Sequence, residues 1–132
     1  MHKFALRKIE TIKGKQEFDK LIIDDKCPLD EFEAGLEEQY KPEMASIYRY
    51  MQDVADLKLL PEDKFHFYNK NKKQKQKERV REFEFKSKHL RVYGITKSNG
   101  KIIITGGTKA KQKTEQNEFR RLKKMYLASL TT

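Results

Sequence analysis

The spacing of hydrophobic residues changes twice along this chain. Near its start, Phe4, Leu6 and Ile9 fall loosely on one side while Lys3, Arg7 and Lys8 fall elsewhere, which predicts a strand within residues 3–12 that Gly14 interrupts. Glu17-Phe18-Asp19-Lys20-Leu21-Ile22 reads as a short helix. Pro28 and Asp30 precede a second one, on which Phe32 and Leu36 lie one turn apart. From there the spacing settles at three and four. Met44, Ile47, Tyr48, Met51, Val54 and Ala55 form the clearest amphipathic helix, with Pro42 and Glu43 suited to its first turn and Pro61 ending it.

From Val80 the period becomes two. Phe83 and Phe85 alternate with Glu82, Glu84 and Lys86, predicting a second strand. Leu90-Arg91-Val92-Tyr93-Gly94-Ile95 predicts a third and Lys101-Ile102-Ile103-Ile104 a fourth, apolar on both faces and therefore central. Asn99-Gly100 between them fits a type I′ turn, because both central residues of that turn need positive φ. That turn would set Ile95 opposite Ile104 and Tyr93 opposite Gly106, with Arg91, Tyr93 and Ile95 on one face. Thr114 could cap a last helix containing Phe119, Leu122, Met125 and Tyr126. The expectation is a single α+β domain over residues 1–132. It has a small, mainly antiparallel sheet of about four strands, N-terminal helices and a C-terminal helix around one core. Residues 69–77 contain no apolar side chain and read as a flexible basic loop.

Charge divides the chain. Residues 1–62 hold 10 Lys/Arg against 14 Asp/Glu, a net of −4, while residues 63–132 hold 20 against 6, a net of +14. The cations therefore collect in the half that carries the strand signals, the usual footprint of a polyanion binder, above all of nucleic acid. The single cysteine, Cys27, allows no internal disulfide and reads as a half-buried thiol. No apolar run approaches the ~18 residues of a membrane span, and residues 1–6 lack a signal-peptide core, so the chain reads as cytoplasmic. His2, His66 and His89 stand far apart with no metal-binding pattern, and no cofactor is implied. Gly106-Gly107-Thr108-Lys109 lacks the spacing of a nucleotide phosphate loop.

What remains is a cationic constellation: Lys86, Lys88, His89, Arg91, Tyr93, Lys109, Lys111 and Lys113, with Lys73 and Lys75 upstream. It could grip RNA phosphates or cleave RNA without metal. Cleavage requires the 2′-hydroxyl to lose a proton and attack phosphorus, the phosphorane charge to be stabilised, and the 5′-oxygen to be protonated. A lysine destabilised by cationic neighbours can be the base, an arginine can hold the developing charge, and tyrosine can stack on a base. A basic sheet edge that discourages aggregation accounts for any one of these lysines equally simply.

These residues, in this order, resemble the RelE/HigB superfamily of type II toxin–antitoxin toxins, including its phage-related, Gp49-like branch. The resemblance covers much of residues 30–128. It rests on a helical segment followed by Leu59-Leu60-Pro61, the strand segment from Phe85 through Lys86, Lys88, Leu90 and Arg91 to Tyr93, then Gly100-Lys101-Ile102-Ile103-Ile104. The loop from Gly106 to Thr114 and a helix complete it. It implies a compact RelE-like fold and a metal-independent endoribonuclease, an mRNA interferase that often acts on the ribosome and is neutralised by a cognate antitoxin. On that likeness Lys86, Lys88 and Arg91 are the catalytic candidates, with His89 and Tyr93 accessory, and Lys109 and Lys113 match RNA-binding loop lysines. Thr108 stands where many relatives carry an aromatic residue. Three other readings stay open: a non-catalytic RNA- or DNA-binding module on the same fold, a ParE-like toxin with a protein target, and a domain whose basic face meets an acidic partner.

Overall fold

A computed structural model describes residues 1–68 and 80–131. The elements in chain order are β1 (Phe4–Lys8), β2 (Glu17–Ile23), α1 (Pro28–Ala34), α2 (Lys41–Ala55), β3 (Phe65–Phe67), β4 (Glu82–Lys86), β5 (Leu90–Lys97), β6 (Gly100–Thr108) and α3 (Gln112–Ser129). The class is α+β. The described strands form one six-stranded sheet in the order β1-β2-β6-β5-β4-β3, antiparallel throughout except that β2 and β6 run parallel. The expected four strands are thus six, the sheet is mixed, and the first helix follows two strands instead of one. The basic loop read at residues 69–77 lies outside the described residues.

The main disagreement is β2. Phe18, Leu21 and Ile22 have the three–four spacing of a short helix, yet they form a strand. The sheet is covered on both faces, so apolar residues on either side of a strand are both buried and the alternation disappears. Phe18 and Ile22 enter the core under α1 and α2, and Leu21 enters the core under α3. Pairing with β1 and β6 satisfies the backbone that an isolated short helix would leave half open.

Two cores result, where the sequence predicts one. On one face, Met44, Ile47 and Met51 of α2 pack with Phe83, Phe85, Leu90, Val92 and Ile103. On the other, Phe119, Leu122 and Tyr126 of α3 pack on Tyr93, Ile95, Ile102 and Ile104. Ile47 and Met51 are fully buried; side chains of that kind contribute about 1.5–3 kcal/mol each. Thr114 lies inside α3, whose N-terminus has no side-chain cap. Helix α2 ends at Ala55, short of Pro61, where Leu57 takes a φ of 64°. The amides of Leu57 and Lys58 reach back to the carbonyls of Val54 and Asp53, a Schellman closure made without glycine.

The β5–β6 hairpin forms, but in another register. Lys97 faces Gly100 and Ile95 faces Ile102, so Ser98 and Asn99 make the turn. Asn99 has a φ of 57°, and Gly100 has no positive φ. The glycine serves a different purpose: it pairs with Glu17 on β2, and a Cβ there would lie 2.3 Å from the Glu17 carbonyl oxygen. A bulge then gives β6 one extra residue, Ile104, so Tyr93 faces Thr105 instead of Gly106. Arg91, Tyr93 and Ile95 keep a common face.

Gly100→Ala should therefore force β2 away from β6 and cost about 1–3 kcal/mol. Urea unfolding checks this: the midpoint should fall with an unchanged slope, and an unchanged midpoint would mean that the close approach is unimportant.

Candidate functional site

The strand parities assemble one polar row across the sheet. Lys86 on β4 is the cross-strand partner of Arg91 on β5, and Arg91 is the partner of Gly107 on β6. One step along, Glu84 partners Tyr93. Gly107 contributes no side chain, and a Cβ at that position would lie 2.5 Å from Cγ of Glu115 on α3. The row therefore runs under the first turns of α3, with the Glu115 side chain over its bare end.

The interior of this row is closed. Glu84 is 2 % exposed, Arg91 7 % and Tyr93 0 %. Tyr68 donates its hydroxyl proton to the Glu84 carboxylate and receives a hydrogen bond from Gln116 Nε2 at 3.0 Å. Nε2 of His66 lies 3.2 Å from the Glu84 carboxylate. Arg91 donates from Nη1 to the carbonyls of Ser87 and Leu90, at 2.6 and 2.8 Å. Among the described residues two buried side-chain atoms have no partner, Arg91 Nε and Tyr93 Oη. Groups so placed are uncommon in folded proteins, because each forfeits its hydration without replacement.

The local electrostatics follow from this burial. Desolvation, then the hydrogen bond to Glu84, pushes the Tyr68 phenol far above its ordinary value. Tyr93 rises through burial and then the Glu84 charge, with Arg91 opposing. Desolvation raises the Glu115 carboxyl, and Lys111 opposes it. Beside Gly107 there is thus a carboxyl group that holds a proton to higher pH than a free glutamate.

The expected cationic residues reach different places. Lys86 is half-buried beside Arg91, and Lys88 is exposed on the following turn. Lys109, Lys111 and Lys113 are exposed around the entry to α3. The Lys109 amide donates to the His89 carbonyl at 2.8 Å, which ties their loop to the Lys86–Arg91 end of the sheet. Lys73 and Lys75 lie outside the described residues. Tyr93 cannot stack on a nucleobase, because its buried ring is already stacked on Phe119, 5.4 Å between centroids and 18° between planes.

His89 turns to α2. Its ring Nδ1 lies 2.7 Å from one Glu43 carboxylate oxygen, while its amide and the Ser87 hydroxyl donate to the other. Desolvation pushes the Glu43 carboxyl up, but the hydrogen bonds from Ser87 and His89 outweigh it and hold it below the usual range. This clamp fixes the turn that delivers Arg91.

Glu84, Tyr68, His66, Glu115 and Gln116 are not marked as site residues by the sequence reading. Glu84 had a signal, since strand parity puts it on the same side as Lys86. The others reach the site only through tertiary packing. Among the described residues, no three His, Cys, Asp or Glu side chains converge to hold a metal ion, and no helix is long and apolar enough to cross a membrane. The chain matches no family model, no curated protein and no solved structure.

Because the folded pKa of Glu43 is depressed, its contribution to stability is complete above the unfolded value near 4.5 and is lost as pH falls through the folded value. Glu43→Gln should lower the urea midpoint at pH 7, and the gap from wild type should narrow below about pH 4.5; a gap independent of pH would show that the charge of Glu43 does not hold the clamp. Tyr93→Phe removes a hydroxyl without a partner and should leave stability within about 0.5 kcal/mol or raise it. A loss above about 1 kcal/mol by the same assay would reveal a partner for that hydroxyl.

Proposed function

We propose that this protein is an RNA-directed toxin of the RelE/HigB type, cleaving mRNA without metal at the Lys86–Arg91 row. The observation that carries the reading is the row itself. Two cations from separate strands are direct cross-strand partners, a glycine leaves the third position bare, and the basic loop is tied to the same end of the sheet. The order of elements under the motifs also supports it: a helix pair, Leu59-Leu60-Pro61, the strand bearing Leu90-Arg91, then the Gly106-to-Lys113 segment leading into a helix.

In this proposal the phosphate sits at the open edge of the row. Lys86, entering the step as the neutral amine, takes the proton of the 2′-hydroxyl as the hydroxyl oxygen bonds to phosphorus. Arg91 stabilises the phosphorane charge with its remaining donors, the guanidinium being held in place by the bonds of Nη1 to two backbone carbonyls. Glu115 donates the proton to the 5′-oxygen as the phosphorus–oxygen bond breaks, which leaves a 2′,3′-cyclic phosphate and a 5′-hydroxyl. Lys88, Lys109, Lys111 and Lys113 hold flanking phosphates, so affinity falls steeply with salt. A cognate antitoxin would mask this end with acidic residues. The near-complete burial of Arg91 favours a second reading, an RNA-binding module on this fold that does not cleave.

Incubation with mRNA and translating ribosomes in EDTA separates the two. The proposal predicts cyclic-phosphate ends, with cleavage reduced roughly 100-fold or more in Lys86→Ala and in Arg91→Lys, the latter checked for an unchanged unfolding midpoint. Cleavage that EDTA abolishes, or full activity in both variants, would refute the assignment. Tight, salt-sensitive binding without cleavage would establish the second reading.

A further inference from the structure

A second polar centre lies elsewhere on the molecule. Lys101, near the start of β6, is 5 % exposed. Its ammonium donates to Gln16 Oε1 at 2.7 Å and lies 5.8 Å from the centre of the Phe67 ring. Among the described residues no carboxylate comes within ion-pair distance of it. Burial without a counter-ion is costly for an ammonium group, and the usual remedy is a paired acid or replacement by an apolar residue. Neither has happened here.

Lys101 lies against a cleft of about 480 Å³ between the end of α2, β3 and the start of β4. Val54, Leu57, Leu60, Phe65 and Phe67 provide apolar wall. Leu59 and Leu57, at the same cleft, are 99 % and 56 % exposed, and Leu57 is held in the left-handed region that favours glycine. The charged groups at the cleft are accounted for. The Arg81 guanidinium lies 3.9 Å over the Phe67 ring, Lys58 pairs with Asp53 at 3.8 Å, and His66 pairs with Glu84. Glu62 also lines the cleft, its backbone carbonyl 3.4 Å from Nδ1 of His66. The volume is within the range of small-molecule sites, and an apolar wall with a few convergent polar groups is their usual chemistry.

We propose that this cleft binds a small amphiphilic carboxylate, its head group on the Lys101 ammonium and its hydrocarbon body along the wall formed by Val54, Leu57, Leu60, Phe65 and Phe67. The anion supplies the counter-charge that the fold withholds, and the body covers the exposed leucines. The site is independent of the Lys86–Arg91 row and of any action on RNA.

Burial, then the neighbouring charge of Arg81, lowers the Lys101 pKa to about 8. The carboxylate binds the protonated lysine, so affinity in the wild-type protein should fall above pH 8 by up to about tenfold per unit, while binding of a neutral ligand would not. The test is titration of the full chain with octanoate, with octan-1-ol as the uncharged control, followed by calorimetry and by the NMR signals of the lysine side chains. The proposal predicts saturable octanoate binding that shifts Lys101, weakens at least about tenfold in Lys101→Met at pH 7, and is not matched by octan-1-ol. The pH series on the wild type decides the matter even if that variant does not fold. Affinity that stays constant from pH 7 to about 9.5, equal binding of the alcohol, or no saturable binding of octanoate would each overturn it.

Discussion

Arg91 lies on a strand whose two faces are both sealed by helices, and that constraint governs the rest of the molecule. A charge in such a place has to be satisfied within the sheet or by something that arrives from its edge. The fold answers part of it: two backbone carbonyls hold Nη1. It leaves Nε unanswered. It also sets a second cation, Lys86, directly across the ladder instead of a carboxylate. A sheet built only for stability would place an acid on the strand opposite the arginine; this sheet places one, Glu84, a row further on, where Tyr68 and His66 occupy it.

Backbone detail accounts for the site's position. Gly100 is drawn into the ladder with β2, which moves the hairpin turn to Ser98-Asn99. The extra residue in β6 then reverses which face its later residues present. As a result Gly106 abuts Phe32 on α1 while Gly107 abuts Glu115 on α3. Without that reversal Gly106 would stand opposite Arg91 under α3, and Gly107 would turn toward α1. The Glu43 clamp works at the other end of the row, holding the turn between β4 and β5 against α2.

Much of this was legible in the sequence where one physical signal dominated. The period-two strands β4 and β5, the centrality of Ile102-Ile103-Ile104 and the apolar stripe of α2 all follow from burial on a defined face. So did the shared face of Arg91, Tyr93 and Ile95, because parity does not depend on what β6 does. The strand at Phe18 to Ile22 was not legible, since burial on both faces imitates helical spacing. The turn register was not legible because a competing use for Gly100 lies more than eighty residues away, at Glu17. His89 fell within the basic run by sequence, yet a single carboxylate from α2 engages it. The partners of Glu84 come from β3 and the residue after it, and Gln116 of α3 in turn bonds Tyr68; nothing local announces them.

In the proposed function an RNA phosphate meets the Arg91 guanidinium at the open edge of the row, and the resonance of the buried Nε–H group of the same guanidinium responds to that contact. On addition of a single-stranded RNA made uncleavable by 2′-deoxy substitution, the account predicts a downfield shift of that resonance and slowed exchange with water as a charge-assisted hydrogen bond forms. An Arg91 Nε–H signal that stays where it was, while the signals of Lys109, Lys111 and Lys113 respond to the same RNA, would contradict it and leave only a diffuse basic surface.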